Sequence, residues 1–177
     1  MDYYTEYPDI LPKKHTGKHW YLRVMLFFVG RAFQSLWKLD KNIQQEFNML
    51  PKKFSFAITI LPDGPGVFLQ KDAQGKLRYK GKLNDEADVM IRFRNIASAM
   101  RVFTFQISSY KAYAQNGISV SGDLAATMGI MRCLNLVEDY LLPGFITKKI
   151  LKRKPKTPWL SKLLKRFILY ISIIFGM

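Results

Sequence analysis

The first third of the chain has the hydrophobic spacing of an amphipathic helix. From about residue 19 to residue 50, large apolar side chains recur on one stripe, and basic or polar residues lie largely opposite. Pro51 is predicted to end this helix, because proline cannot continue one. Residues 25–29 are apolar on more than one face. The helix is therefore predicted either to pack on the body of the protein or to dip into a membrane, and the pattern leaves both open.

Four runs with strand-like spacing follow the helix. They span residues 54–61, 67–71, 76–83 and 87–93, and turn residues separate them. In the first, third and fourth runs the apolar residues occupy alternate positions, which places them on one face of a strand. A period of two with one polar face predicts an antiparallel meander that is covered on one side only.

Two short helices are predicted after the fourth run. Asn95 is placed to cap a helix whose apolar residues recur at i, i+3, i+4 and i+7. Ser108 or Ser109 is placed to cap the next helix, which extends through Tyr113. Such helices can bury the apolar face of the predicted sheet.

A turn, a short strand and a longer helix complete this part of the chain. Asn116-Gly117 predicts a tight turn, and residues 118–121 predict the strand. Asp123 is placed to cap the longer helix, which Pro143 is predicted to end. The order of elements indicates an α+β protein.

Charge is the unusual feature of the composition. The 177 residues suffice for one domain with extensions, and 49% hydrophobic content excludes a disordered protein. The net charge is +15, yet residues 140–177 hold nine basic residues and no acid. A basic end on a nearly balanced body indicates an anionic partner, either nucleic acid or an anionic membrane surface.

Candidate catalytic and metal-binding residues are few. Cys133 is the single cysteine, which excludes an intramolecular disulfide and a multi-thiolate metal site. His15 and His19 are four residues apart, but carboxylates are sparse around them, so no metal site is predicted. Residues 117–122 have Ser121 where a nucleophile elbow needs its second glycine. No enzyme activity, cofactor or metal is therefore predicted.

The segment from residue 87 to residue 123 carries the most specific pattern. It reads ADVMIRF, then NIASAMRVFTFQISSYKAYAQNG, then ISVSGD. This resembles the sterol-carrier-protein-2 (SCP-2) lipid-binding family, in which an Asp-Val strand precedes two helices, an Ala-aromatic step and a strand ending in Gly-Asp. The resemblance covers residues 50–140 and is clearest over 88–136.

The resemblance implies a fold and a function together. The implied fold is α+β, with a mixed, largely antiparallel five-stranded sheet covered on one face by helices, and here with added N-terminal and C-terminal helices. The implied function is to enclose a sterol, fatty acyl chain or other lipid in an apolar tunnel. At Phe105 the family often has the glycine of a Leu-Thr-Gly step, so a large ring is expected near the tunnel mouth.

The residues implied to contact the lipid are flexible or aromatic. Methionine tolerates varied apolar shapes, which suits an adaptable cavity, although an ordinary core has the same composition. The predicted lipid-binding residues are Phe93, Ile96, Met100, Phe103, Phe105, Tyr113, Leu124, Met128 and Met131.

The last 33 residues, 145–177, are predicted to form a basic tail. From Pro158 onward, apolar residues recur at helical spacing with basic residues opposite, and Trp159 heads the apolar face. The pattern is typical of a membrane-binding helix; the alternative is a terminal helix docked on this domain or on a partner. The predicted membrane-binding residues are Lys148, Lys149, Lys152, Arg153, Lys154, Trp159, Lys162, Leu163, Leu164, Lys165, Arg166 and Phe167.

These predictions divide the chain into three parts. Residues 1–50 are an N-terminal extension and helix, residues 51–144 an SCP-2-like lipid-binding domain, and residues 145–177 the tail. The leading hypothesis is a non-enzymatic lipid-binding or lipid-transfer protein that is cytoplasmic and peripherally bound to an anionic membrane. Its ligand would be a sterol, fatty acyl or isoprenoid lipid; protein partners are left open.

Two alternatives remain from the sequence. The first is an accessory factor that presents a hydrophobic substrate, such as a quinone precursor, to enzymes. The second is a nucleic-acid-binding protein that uses the basic tail. The second is disfavoured because the aromatic residues of the tail form one apolar face instead of alternating with charge.

Overall fold

The computed structural model of the protein describes residues 16–81, 87–141, 167 and 169–171. Within these residues the helices are α1 (Thr16–Leu39), α2 (Lys41–Asn48), α3 (Ile96–Phe103), α4 (Ser109–Ala114) and α5 (Leu124–Leu141). The strands are β1 (Ser55–Ile60), β2 (Gly66–Lys71), β3 (Leu77–Tyr79), β4 (Val89–Phe93) and β5 (Ile118–Gly122).

The five strands form one mixed sheet in the order β3-β2-β1-β4-β5. The pairs β1–β2, β2–β3 and β4–β5 are antiparallel, whereas β4 lies parallel to β1 with Ile91 opposite Ile58. The predicted α+β class with a mixed, largely antiparallel five-stranded sheet is confirmed. The expected meander is right for the first three strands and wrong for the fourth. Alternation decides which face of a strand is buried, but it does not decide which neighbour the strand takes or its direction.

The long N-terminal helix predicted over residues 19–50 is two helices. Asp40 has extended backbone angles between them, with φ −120° and ψ 117°. Its carboxylate accepts the backbone N–H of Asn42 at 2.9 Å, which caps α2, and the hydroxyl of Tyr140 at 2.8 Å. Periodicity missed the break because Ile43 and Phe47 of α2 continue the buried stripe of α1.

The caps predicted for the later helices are confirmed. Asn95 accepts the N–H of Ser98 at 2.8 Å, and Ser108 accepts that of Lys111 at 3.3 Å. Asp123 accepts the N–H of Ala126 at 2.7 Å and so caps α5. Each side chain satisfies a donor that the first turn of a helix leaves free.

Contacts between strands explain the Asp-Val step at the start of β4 and the Gly-Asp step at the end of β5. Asp88 accepts both the backbone N–H and the hydroxyl of Ser55, at 2.7 and 2.8 Å, and thus ties β4 to the start of β1. Gly122 has φ +114°, and a Cβ there would lie 2.0 Å from the Asp88 carbonyl oxygen. A glycine is therefore required where β5 meets β4.

The core lies between the helices and the inward face of the sheet. Gly30 lets α1 approach the sheet closely, since a Cβ there would lie 2.6 Å from the ring of Tyr79 and 2.7 Å from Val67. Cys133 is buried in this core, and burial raises the pKa of its thiol to about 12. The side chain is therefore a neutral packing group at physiological pH.

Candidate ligand cavity

A cavity of about 250 Å³ lies between the sheet and the helices. Its wall is apolar except at two residues, Ser109 and Glu138. The apolar lining residues are Met25, Phe28, Val29, Ile58, Ile91, Phe93, Val102, Phe103, Phe105, Ile118, Leu134, Leu141 and Tyr170.

Regular spacing within the elements brings these side chains together. On α1, Met25, Phe28 and Val29 are three and four residues apart and share one face. On β4, the period of two points Ile91 and Phe93 to the same side. The helix that the sequence assigned to an N-terminal extension thus supplies one wall of the cavity.

Phe105 lies in the wall where a helix ends. The N–H of Phe105 donates to the carbonyl of Val102, and that of Gln106 to the carbonyl of Arg101, each at 2.9 Å. These two bonds form a Schellman motif, in which the residue after the cap is usually glycine because its φ is positive. Phe105 adopts φ 61°. A left-handed conformation costs a non-glycine residue about 1–2 kcal/mol, so the ring is held in the wall at a cost in backbone energy.

The polar residues of the cavity are paired with each other. The hydroxyl of Ser109, at the start of α4, donates to the carboxylate of Glu138 on α5 at 2.5 Å. Ser109 is fully buried, and Glu138 is half-buried. Burial raises the pKa of Glu138 to about 7, and the hydrogen bond from Ser109 opposes part of that rise. The carboxyl group therefore titrates closer to neutral pH than an exposed glutamate does.

Residues close to the C-terminus reach this cavity. Tyr170 lines it and is exposed, and its hydroxyl donates to the carbonyl of Leu141 at 2.8 Å. Leu169 is completely buried in the core. Because Phe28 is also both exposed and part of the wall, Phe28 and Tyr170 mark where the cavity opens to the surface.

Three of the nine predicted lipid-binding residues, Phe93, Phe103 and Phe105, lie in the cavity wall. The other six lie elsewhere. Met131 is buried in the core, and Ile96 and Met100 pack against it partly buried. Tyr113, Leu124 and Met128 are exposed, Leu124 by 72%.

Leu124 and Met128 on α5 lie outside the wall for one reason. The stripe through Leu124 and Met128 is apolar, but the N-terminal half of the helix buries its small residues Ala126 and Thr127 instead. The wall residues are further along, at Leu134, Glu138 and Leu141, with helical spacings of four and three. An acidic residue spaced with two leucines on one helical face was the signal that could have identified Glu138.

Most of the predicted membrane-binding residues lie outside the described residues. This applies to all those from Lys148 to Arg166. Phe167 is described and is 66% exposed. The contacts of Leu169 and Tyr170 place at least these residues of the predicted tail against the body.

The outer side of α1 carries exposed aromatic residues. Trp20, Phe27 and Phe28, which we call the α1 aromatic patch, are all exposed, Trp20 by 69%. Arg23 is exposed on the same helix. Exposed apolar groups clustered with polar neighbours are typical of a protein or membrane contact. Within the described ranges, the helices lack the combination of length and apolarity that crossing a membrane requires.

The described residues do not form the nucleophile or metal sites that the sequence raised as candidates. Ser121 lies within β5 and is exposed, and its Oγ is 2.6 Å from Nη1 of Arg92, a cation that cannot take up the hydroxyl proton as a general base would. Among residues 16–81, 87–141, 167 and 169–171, no group of three or more His, Cys, Asp or Glu side chains could hold a metal ion.

Comparison with solved structures finds SCP-2 proteins, the family that residues 88–136 resemble. One match is a UbiJ-SCP2 ubiquinone synthesis protein, with 10% identity, a TM-score of 0.41, and coverage of 68% of this chain and 92% of that chain. Another is sterol carrier protein domain 2 of Helicoverpa armigera, with 15% identity, a TM-score of 0.39, and coverage of 69% and 89%.

A third match is apo sterol carrier protein 2 from Yarrowia lipolytica, with 14% identity, a TM-score of 0.38, and coverage of 61% and 87%. With TM-scores below 0.5, these three likenesses carry no argument about function. No protein-family model matches the chain, and no curated protein matches it either.

Proposed function

We propose that this protein binds a lipid in the cavity and carries it at a membrane surface without transforming it. The observation that carries the proposal is the cavity itself, about 250 Å³ in volume and apolar except for one hydrogen-bonded pair. An apolar void of this size loses dispersion contacts along its wall. A lipid chain would restore those contacts and would itself leave water, at about 0.8 kcal/mol for each buried methylene.

The volume limits what the cavity holds in this state. A cavity of about 150 Å³ accommodates benzene, while pockets for drug-sized ligands span about 300–1,000 Å³. The cavity of about 250 Å³ lies between the two. It therefore fits a ring or part of an acyl chain, and the remainder of a longer lipid would leave between Phe28 and Tyr170.

The surface around the cavity opening supports the proposal that the protein acts at a membrane. Phe28 belongs both to the cavity wall and to the α1 aromatic patch, so a lipid leaving the cavity would emerge beside exposed aromatic side chains. Such side chains favour the membrane–water interface. The excess of basic residues would draw the protein to an anionic leaflet, at about 1 kcal/mol for each residue near the surface. Transfer there would avoid exposing the lipid to water.

Two measurements on the full chain test the proposal. The neutral dye N-phenylnaphthylamine should bind with increased fluorescence, and fatty alcohols or sterols should displace it. The protein should also float with anionic vesicles and less with neutral ones. Trp20→Ser with Phe27→Ser should reduce flotation and leave dye binding intact, while Leu124→Ser and Met128→Ser, exposed on α5, are the matched control.

Each failure has a distinct meaning. A chain that never binds the dye or any apolar ligand would overturn the lipid-binding proposal. Flotation that is unchanged by the double substitution on α1 would assign the membrane contact to another surface. A shift of DNA or RNA at the same salt concentration, without flotation, would favour nucleic-acid binding instead.

A further inference from the structure

One feature of the cavity is not explained by storing an apolar chain. Glu138 places a carboxyl group in a wall whose other residues, apart from Ser109, are apolar. Burying such a group without a partner is unfavourable, and replacing it with a similar apolar side chain often stabilises a protein. A purely apolar carrier would have no use for it at this position.

The pair has hydrogen-bonding capacity left over. Oε1 of Glu138 accepts the hydroxyl of Ser109, which holds the carboxyl group in one orientation. A carboxylate has about four acceptor sites on its two oxygens, so one donor does not exhaust it. Glu138 is only half-buried while lining the cavity, so part of its surface is open to a molecule there.

From this geometry we infer that Glu138, oriented by Ser109, binds the hydroxyl head of a neutral lipid inside the cavity. The inference rests on the proposed function and names the class of ligand. A hydroxyl both donates and accepts, so it pairs with Glu138 whether or not the carboxyl group carries a proton. An ionised fatty acid would bring a second negative charge to the same site, and the two like charges would repel each other.

The surroundings of Glu138 favour a neutral head over a cationic one. Among the described lining residues, the other titratable side chain is Tyr170, whose hydroxyl is engaged by Leu141; α1, α3 and the strands contribute apolar groups. Asp139, the next residue along α5, lies outside the wall. An ammonium ion would lose its hydration in this setting, and burial already disfavours the charged form of Glu138.

The test uses decanol, decanoate and decylamine, which share one chain length and differ in the head. Each competes with N-phenylnaphthylamine for the full chain at about pH 8. Decanol should displace the dye at a concentration at least about tenfold lower than decanoate, the size of effect expected for a hydrogen bond involving a charged group. Lowering the pH to about 6 should reduce the difference in affinity between decanol and decanoate, since Glu138 then gains its proton.

Glu138→Gln keeps the shape and removes the charge. It should tighten decanoate binding about tenfold at pH 8, reduce its pH dependence, and change decanol binding by less than about threefold. Glu46→Gln is the matched control, because Glu46 pairs with Arg132 on the surface at 2.7 Å, and it should leave all three affinities unchanged. Ser109→Ala is a second variant, which should weaken the preference for decanol by releasing the carboxyl group.

Three outcomes contradict the inference in different ways. If no ligand displaces bound dye and none binds directly, the proposed function itself fails. If decanol, decanoate and decylamine bind with equal affinity to the wild type and to Glu138→Gln, the cavity binds lipid without distinguishing its head group. In that case only this inference fails. If decylamine binds the wild type more than about tenfold tighter than decanol, the site selects cations.

Discussion

The inward face of the sheet has two halves that are built differently. In the filled half, the rings of Phe33, Phe47 and Phe56 pack against one another with centroids 5.3–6.4 Å apart. In the cavity half, Phe93 and Phe103 also pair, at 5.5 Å, but they border the cavity of about 250 Å³. Both halves contain large apolar residues. The difference shows that apolar composition does not decide whether a core is filled.

The buried polar groups of the two halves also differ in their hydrogen-bond partners. In the filled half, Lys71 is buried, and its ammonium donates to the carbonyls of Phe47 and Leu50, each at 2.8 Å. Phe47 lies in the last turn of α2 and Leu50 follows the helix, so the ammonium binds backbone acceptors where the helix ends. In the cavity half, Glu138 has Ser109 as a donor and still faces the cavity. We interpret the filled half as the stabilising part and the cavity half as the binding part.

The largest expected effect comes from removing a ring in the filled half. Phe56→Ala should lower the free energy of unfolding by about 3–5 kcal/mol, because close neighbours cannot collapse into the space. Phe103→Ala should cost less, about 2 kcal/mol, since the cavity already deprives that ring of contacts on one side. Urea unfolding monitored by circular dichroism gives both values. Equal losses would mean that the two halves are packed alike.

Enlarging a side chain should also destabilise the filled half more than the cavity half. Leu69→Trp, at a fully buried position of the filled half, should destabilise the protein by about 1–3 kcal/mol through overpacking. Leu134→Trp enlarges a side chain of the cavity wall and should cost under about 1 kcal/mol while abolishing dye binding. Paired unfolding and dye titrations check this. Retained dye binding in Leu134→Trp would show that the dye occupies another site.

The pH dependence of stability should depend on Glu138. Burial raises its pKa to about 7 in the folded protein, against about 4.3 in an unfolded chain. A raised pKa means that the folded state holds the proton more tightly. Stability from this group is therefore fully present below about pH 4.3 and is lost progressively as the pH rises through about 7. Above that pH the loss levels off.

Glu138→Gln should remove this part of the pH profile, measured by urea unfolding between about pH 5 and pH 8. Glu46→Gln is again the control and should preserve the profile. A variant at Glu138 with the same slope as the wild type would place the carboxyl group in contact with water.

The smallest effect concerns the backbone at Phe105. Phe105→Gly relieves the positive φ, whereas Phe105→Ala retains it, so the glycine variant should be more stable than the alanine variant by about 1 kcal/mol. Both remove the ring from the cavity wall and should admit bulkier ligands, such as a sterol in place of a fatty alcohol. Thermal unfolding and dye competition provide the comparison. An alanine variant as stable as the glycine variant would argue against the left-handed conformation.

Much of the fold could be predicted from local patterns. The alternation in residues 54–61 and 87–93 identified β1 and β4, and Asn95 and Asp123 identified the starts of α3 and α5. These signals are local because a cap or a strand face depends on a few neighbouring residues. Only three of the nine predicted lipid-binding residues reached the cavity wall. The other six lie outside that wall, because helical spacing alone does not decide which apolar face of a helix borders the cavity.

The sequence by itself determined the alternating faces of β1 and β4 and the helix caps at Asn95, Ser108 and Asp123. Tertiary structure alone decided that β4 runs parallel to β1, that Asp40 divides the first helix, and that α1 and Tyr170 close a cavity around Glu138. The physical reason is the distance along the chain over which each feature is decided. Caps, turns and pleats depend on residues that are close together in the sequence. A cavity forms only between elements that are distant along the chain, so the pattern of a single element does not reveal it.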